Sequence, residues 1–153
     1  MYDRILVPTD GSEVAAHAVE HAIDLATKYD AELHTMYVID LDAVDIGLGT
    51  EQVQRIREGH FSEMPELQAD ANEAMREVAD RAETAGLEAV EHITAGQPHR
   101  EISRFSEDED IDLVVMGSAG RSGVRRALLG SVAERTLRTT TAPVLVVDFR
   151  EES

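Results

Sequence analysis

Cysteine is absent from the 153-residue chain, which excludes disulfides, thiolate nucleophiles, zinc fingers and iron–sulfur ligation and removes any redox sign of compartment. Lysine occurs once, at Lys28; the other basic residues are arginines. A Walker A loop must end in Gly-Lys-Ser or Gly-Lys-Thr, and Lys28 precedes Tyr29 in a helical pattern, so P-loop nucleotide hydrolases are excluded. No apolar run reaches the roughly 18 residues of a membrane-spanning helix, and the opening MYDRILVPTD meets an acid too early for a secretory signal. A soluble, cytoplasmic protein is expected.

Positive charge is scarce as a whole: 14 basic residues face 31 acidic ones, a net charge of −17. That field repels nucleic-acid phosphates and anionic membranes, so neither is expected as a partner. An acid-rich, lysine-poor surface suits concentrated salt, because about 1 M salt shrinks the Debye length to about 3 Å and silences self-repulsion. The composition therefore points to a halophilic cytosol.

What is present is enough apolar residue for a core, 42% hydrophobic against 29% charged, in a length that suits one domain over residues 1–153. Arg4–Pro8 (RILVP) is a β-branched run closed by Thr9-Asp10-Gly11-Ser12, a turn cluster that also supplies helix N-caps. From Glu13 to Tyr29, Ala15, Ala18, Ala22, Leu25, Ala26 and Tyr29 recur at three and four, with charged residues opposite: an amphipathic helix. Further strands are expected over 31–39, 87–94, 113–116 and 143–147, and helices over 66–85, 98–106 and 132–138. Residues 40–65 lack steady periodicity and read as a long connection with a short helix near 51–57. Strands alternating with helices build a parallel sheet with helices on both faces, because parallel neighbours need right-handed helical crossovers.

In such a sheet, ligands sit beyond the carboxyl ends of strands where the strand order reverses. Two loops therefore matter, 8–12 and 117–131. The second reads GSAGRSGVRRALLGS and carries Gly117, Gly120, Gly123 and Gly130 with Arg121, Arg125 and Arg126 and no acid. Glycines let backbone N–H groups approach an anion. The loop empties into a helix whose first turn offers unsatisfied N–H groups and a positive dipole end. Ser131 and Glu134 have the spacing of a capping box. The plainer reading is a flexible loop and a capped helix; the position after the most apolar strand favours phosphate. The dinucleotide pattern G-x-G-x-x-G is missing after the first strand, so a nicotinamide enzyme is not expected.

The spacing Gly117, two residues, Gly120, nine residues, Gly130-Ser131 resembles the G-x2-G-x9-G-[ST] pattern of the universal stress protein family, in its ATP-binding branch. ILVPTDGS, YVID, DLVVMGS, LLGSVAERTL and APVLVV resemble that family's blocks in the same order, from about Tyr2 to Val147. The resemblance implies a Rossmann-like α/β fold of the adenine nucleotide alpha hydrolase type, a single domain with an open five-stranded sheet in order 3-2-1-4-5. It implies ATP, or AMP or ADP, as ligand, with Pro8, Thr9 and Asp10 at the nucleoside end and Val38 lining adenine. Met116, Gly117, Ser118 and Gly120 would border ribose and phosphates, and Gly130, Ser131, Val132 and Ala133 would donate to the phosphate chain. Ala119 stands where many family members carry a long polar side chain, and Arg121 is the residue placed to compensate. Mg²⁺ or Mn²⁺ would travel with the phosphates, not in a protein cage.

His17, Glu20 and His21 match H-x-x-E-H, but on a solvent face, so a solvated helix is preferred to a metal site. Asp108, Asp110 and Asp112, like Asp40, Asp42 and Asp45, lack the Gly and distal Glu of a calcium loop and read as acidic linkers. His34, His60, His92 and His99 pair with no Ser nucleophile, and no G-x-S-x-G elbow supports acyl transfer. The last strand is apolar on both faces yet belongs at a sheet edge, where a second copy pairing through Val144–Val147 would cover it; the resemblance implies such homodimers. A nucleotide-dependent stress-response regulator that engages a further protein is expected. The alternatives are a slow Mg-dependent ATP hydrolase, for which no recognisable base is present, and a structural dimer without nucleotide.

Overall fold

In the computed structural model, which describes residues 1–40, 65–119 and 129–148, the alternation of apolar runs and helical patterns becomes β1 (Arg4–Pro8), α1 (Glu13–Tyr29), β2 (Glu32–Asp40), α2 (Pro65–Thr84), β3 (Ala89–Gly96), α3 (Pro98–Asp108), β4 (Leu113–Gly117), α4 (Ser131–Thr139) and β5 (Val144–Val147). The strands form one parallel sheet in the expected order β3-β2-β1-β4-β5.

Central position explains why β1 is an unbroken apolar run: Ile5, Leu6 and Val7 are all buried, as a strand covered on both faces requires. Strand alternation divides them. Ile5 and Val7 pack with Ala18, Val19 and Ala22 of α1 and Val78 and Ala82 of α2. Leu6 packs with Met36, Ile102 and Val114, with Phe105 and Val132 against them. So α1 and α2 cover one face and α3 and α4 the other.

The small residues Ala15, Ala18, Ala22 and Ala26 bring α1 close to the sheet, and Val19 and Ile23 join the buried stripe. Tyr29, expected in that stripe, is 45% exposed and meets Tyr2 edge to face at 5.0 Å. Ser12 caps α1, its Oγ accepting from Ala15 N–H at 3.2 Å. At the end of α2 the Leu87 N–H donates to the Ala82 carbonyl at 2.8 Å. Leu87 is thus used to end the helix, and β3, expected from 87 on its mixed-polarity pattern, starts two residues later.

Three acidic positions differ from the linker reading, the first being Asp40, the last residue of β2. Asp108 is the last residue of α3. Asp112 ties the starts of β1 and β4 together: its Oδ2 accepts from the N–H groups of Asp3 at 2.8 Å and Arg4 at 2.9 Å. The expected helix near 51–57, with Asp42, Asp45 and His60, lies outside the described residues. Among those described, no helix is long and apolar enough to cross a membrane.

Candidate functional site

The chain turns to β2 on one side of β1 and to β5 on the other side of β4, so the reversal that opens a crevice in such sheets lies between β1 and β4. Pro8, Thr9 and Asp10 stand at the carboxyl end of one strand, Met116, Gly117 and Ser118 at that of the other. Thr9 N–H donates to the Met36 carbonyl at 2.9 Å, tying this loop to β2. Thr9 Oγ1 accepts from Gly11 N–H at 3.1 Å and Asp10 Oδ1 from Ser12 N–H at 2.9 Å, side-chain turns that set the entry to α1.

The β4 exit is packed too tightly for side chains. A Cβ on Gly117 would lie 2.7 Å from Val14 Cγ1 of α1, and one on Gly130 would lie 3.1 Å from Ala119 Cα and 3.2 Å from the Ser118 oxygen. Ser118 is buried and its polar groups are held within the protein. Its N–H donates to Val147 at 2.8 Å, its carbonyl accepts from Gly130 N–H at 2.7 Å, and its Oγ donates to Asp148 Oδ1 at 2.9 Å. Ser118 acts here as a clamp between β4, β5 and the start of α4.

The expected Ser131–Glu134 capping box is not formed. Gly130, not Ser131, is the N-cap of α4, with φ −66° and ψ 159°, and Ser131 is the first helical residue. A capping oxygen hangs from the N-cap residue, and glycine has none. The first-turn amides of Ser131, Val132 and Ala133 therefore receive no N-cap oxygen, and the positive end of the helix dipole opens beside the β4 exit. Glu134 accepts instead from Arg138, one turn toward the C-terminus, at 3.0 Å.

Val38 on β2 and Val132 on α4 both border the Leu6–Met36–Val114 cluster, which places an apolar wall on the same face as those amides. Met116 and Ala133 are buried. Gly120 and Arg121 lie outside the described residues. Backbone donors, a close glycine approach and an apolar wall together suit an anion attached to a flat apolar group. Sequence reasoning missed Val14 and Asp148; the β4–β5 register, which sets Gly117 opposite Val147, is the signal that would have found Asp148.

Other groups resolve differently. Glu20 of the H-x-x-E-H pattern accepts from Arg81 at 2.8 Å, with His17 3.8 Å away, so that pattern contributes to a bridge between α1 and α2. Among the described residues no group of three His, Asp or Glu is arranged to hold a metal. In the first turn of α3, burial and then the guanidinium groups of Arg135 and Arg100 lower the His99 pKa.

The universal stress protein family is matched over residues 1–148. Universal stress protein MJ0531 of Methanocaldococcus jannaschii is 40% identical over 147 residues, covering 96% of this chain and 82% of that protein. The solved structure of MJ0577, a universal stress protein of the same organism, superposes with a TM-score of 0.78 at 32% identity and covers 99% of both chains. A universal stress protein solved in complex with cAMP gives a TM-score of 0.69 at 25% identity, over 97% of this chain and 98% of that one.

Proposed function

The chain belongs to the universal stress protein family, and we propose that it binds an adenine nucleotide, ATP foremost, at the β1–β4 reversal and works as a nucleotide-dependent stress-response module. The observation that carries this reading is the start of α4: its N-cap, Gly130, has no side chain to cap the first-turn amides and is drawn onto Ser118 at the β4 exit. The cAMP complex of a relative supports an adenine nucleotide as the class. Pro8, Thr9, Asp10 and Val38 would hold the nucleoside. Met116, Gly117, Gly120 and Arg121 would border the phosphates, with Gly130, Ser131, Val132 and Ala133 donating to them. Mg²⁺ or Mn²⁺ would arrive on the phosphates. The working unit is a homodimer joined through Val144–Val147, acting in the cytoplasm, and the acidic surface suits a halophilic host.

The test is thermal unfolding with and without Mg-ATP. A ligand bound only to the native state stabilises it by about 2.7 kcal/mol at a hundred times Kd, a rise of roughly 5–10 °C for a chain of this size. Absence of any rise with ATP, ADP, AMP or cAMP would leave the structural dimer. Sustained phosphate release would favour the hydrolase. The halophilic part is tested separately, by whether molar KCl raises the unfolding midpoint.

A further inference from the structure

A cleft of about 440 Å³ opens at the β3 edge, on the face carrying α3, and shares Met36 with the apolar cluster beside the β1–β4 reversal. It exists because β3 is the end strand and the eleven-residue α3 leaves it incompletely covered. Met36 and His92 line it from the sheet, and Phe105, Glu101, Arg104 and Asp108 from α3.

Behind the cleft runs a hydrogen-bonded chain. His34 is 4% exposed; its Nε2 lies 2.5 Å from Glu32 Oε1 and its Nδ1 3.1 Å from His92 Nε2. The two rings are nearly parallel, 15° apart. A carboxylate only accepts, so His34 Nε2 carries hydrogen. Neutral His34 then accepts at Nδ1, and His92 Nε2 must be the donor. That leaves His92 with a bare Nδ1 lone pair on a ring lining the cleft, 4.4 Å from the ring of Phe105.

We propose that this cleft is a second ligand site that takes a hydrogen-bond-donating organic cation, an amine or guanidine on a short apolar stem. His92 Nδ1 accepts from it, the Phe105 ring faces it, and carboxylates hold its charge. The lining favours that sign: on α3, Glu101 and Asp108 outnumber one guanidinium, Arg104, already paired with Glu101.

One added proton turns the site off. If it rests on His92, both ring nitrogens carry hydrogen. If it rests on His34, that residue donates to His92 Nε2 and the remaining hydrogen of His92 moves to Nδ1. Either way Nδ1 becomes a donor opposed to a donor. The charged groups around the chain are Glu32 and His34 on β2, Glu91 on β3, Glu101, Arg104 and Asp108 on α3, and Glu109 after it. Burial, then His34, lowers the His92 pKa against a smaller opposing effect of Glu109, which disfavours a proton added to His92 itself.

The experiment titrates the full-length, ¹⁵N-labelled chain with agmatine at about pH 7.5 and about pH 5.5, reading the imidazole nitrogens. The expected result is a saturable shift of His92 Nδ1 at the higher pH and binding about tenfold weaker at the lower, the cost of an unsatisfied donor. Asp108→Asn, on an exposed side chain, weakens binding about threefold, and acetate in place of agmatine moves nothing. No saturable shift, equal affinity at both pH values, an unchanged affinity for Asp108→Asn or an equal response to acetate would each overturn the proposal.

Discussion

Gly130 donates its backbone N–H to the carbonyl of Ser118 across 2.7 Å, so the first residue before α4 is held on the first residue after β4. Loop closure of this kind costs entropy that grows only slowly with loop length, and it sets a helix N-terminus at a strand end, the placement an anion site needs. The neighbouring contacts of both glycines make that placement sensitive to single atoms.

Gly130→Val is expected to lower the thermal midpoint and to abolish the nucleotide-dependent rise. Its φ of −66° is open to any residue, so the penalty is steric: the new Cβ meets backbone at Ala119 and Ser118. Overpacking of this order costs about 1–3 kcal/mol, or roughly 3–10 °C here. Calorimetry with and without Mg-ATP checks it; an unaltered midpoint and retained binding would remove Gly130 from the site.

Gly117 and Val14 should be energetically coupled. Gly117→Ala places a Cβ 2.7 Å from Val14 Cγ1, and Val14→Ala removes that methyl. The double variant is expected to recover part of the loss, an interaction of about 0.5–3 kcal/mol in a denaturation cycle. Strict additivity would mean that another contact, such as the Ala119 oxygen at 3.2 Å, sets the cost.

The sheet was legible because its strands are short apolar runs between turn residues, and α1 because its alanines recur at helical spacing. The glycine loop was legible for a local reason also, a cluster of glycines and arginines in an acidic chain. What was not legible depends on register. The role of Asp112 becomes visible only once β1 and β4 are known to start side by side. Ser131 looked like a cap from its spacing to Glu134, but Gly130 sits so close to Ser118 and Ala119 that it, rather than Ser131, becomes the turning point. The His34–His92 pair joins residues 58 positions apart, which no local pattern announces.

Asp112→Ala is expected to cost about 1–3 kcal/mol, because two backbone N–H groups lose a charged acceptor. Asp108→Ala, at the exposed end of α3, should stay within about 0.5 kcal/mol. Urea denaturation of the two variants side by side separates a strand tie from a solvated acid. Equal effects would return Asp112 to the linker reading.

Acid should destabilise the fold through His92. Its folded pKa lies below the 6.5 of an unperturbed imidazole, chiefly from burial, so below that value the unfolded chain binds more protons. The stabilisation is complete above 6.5, the unfolded value, and is lost as pH falls through the lowered folded pKa. Unfolding midpoints measured across this window should decline less in His92→Asn than in the parent. Parallel declines would assign the acid sensitivity elsewhere.

Strand β5 pairs with β4 and stands at the end of the sheet, yet Leu145 is 38% exposed, and so is Leu137 of α4, at 42%. An apolar edge strand with open backbone groups is a template for another strand, and a two-fold pairing of β5 with itself satisfies those groups without leaving a new edge. Val146 is partly buried on this strand, so Val146→Lys sets a charge where the second copy would close. The expected result by light scattering is a dimeric parent and a monomeric variant that keeps its helical circular dichroism. A parent that is itself monomeric, or a variant that stays dimeric, would move the interface away from β5.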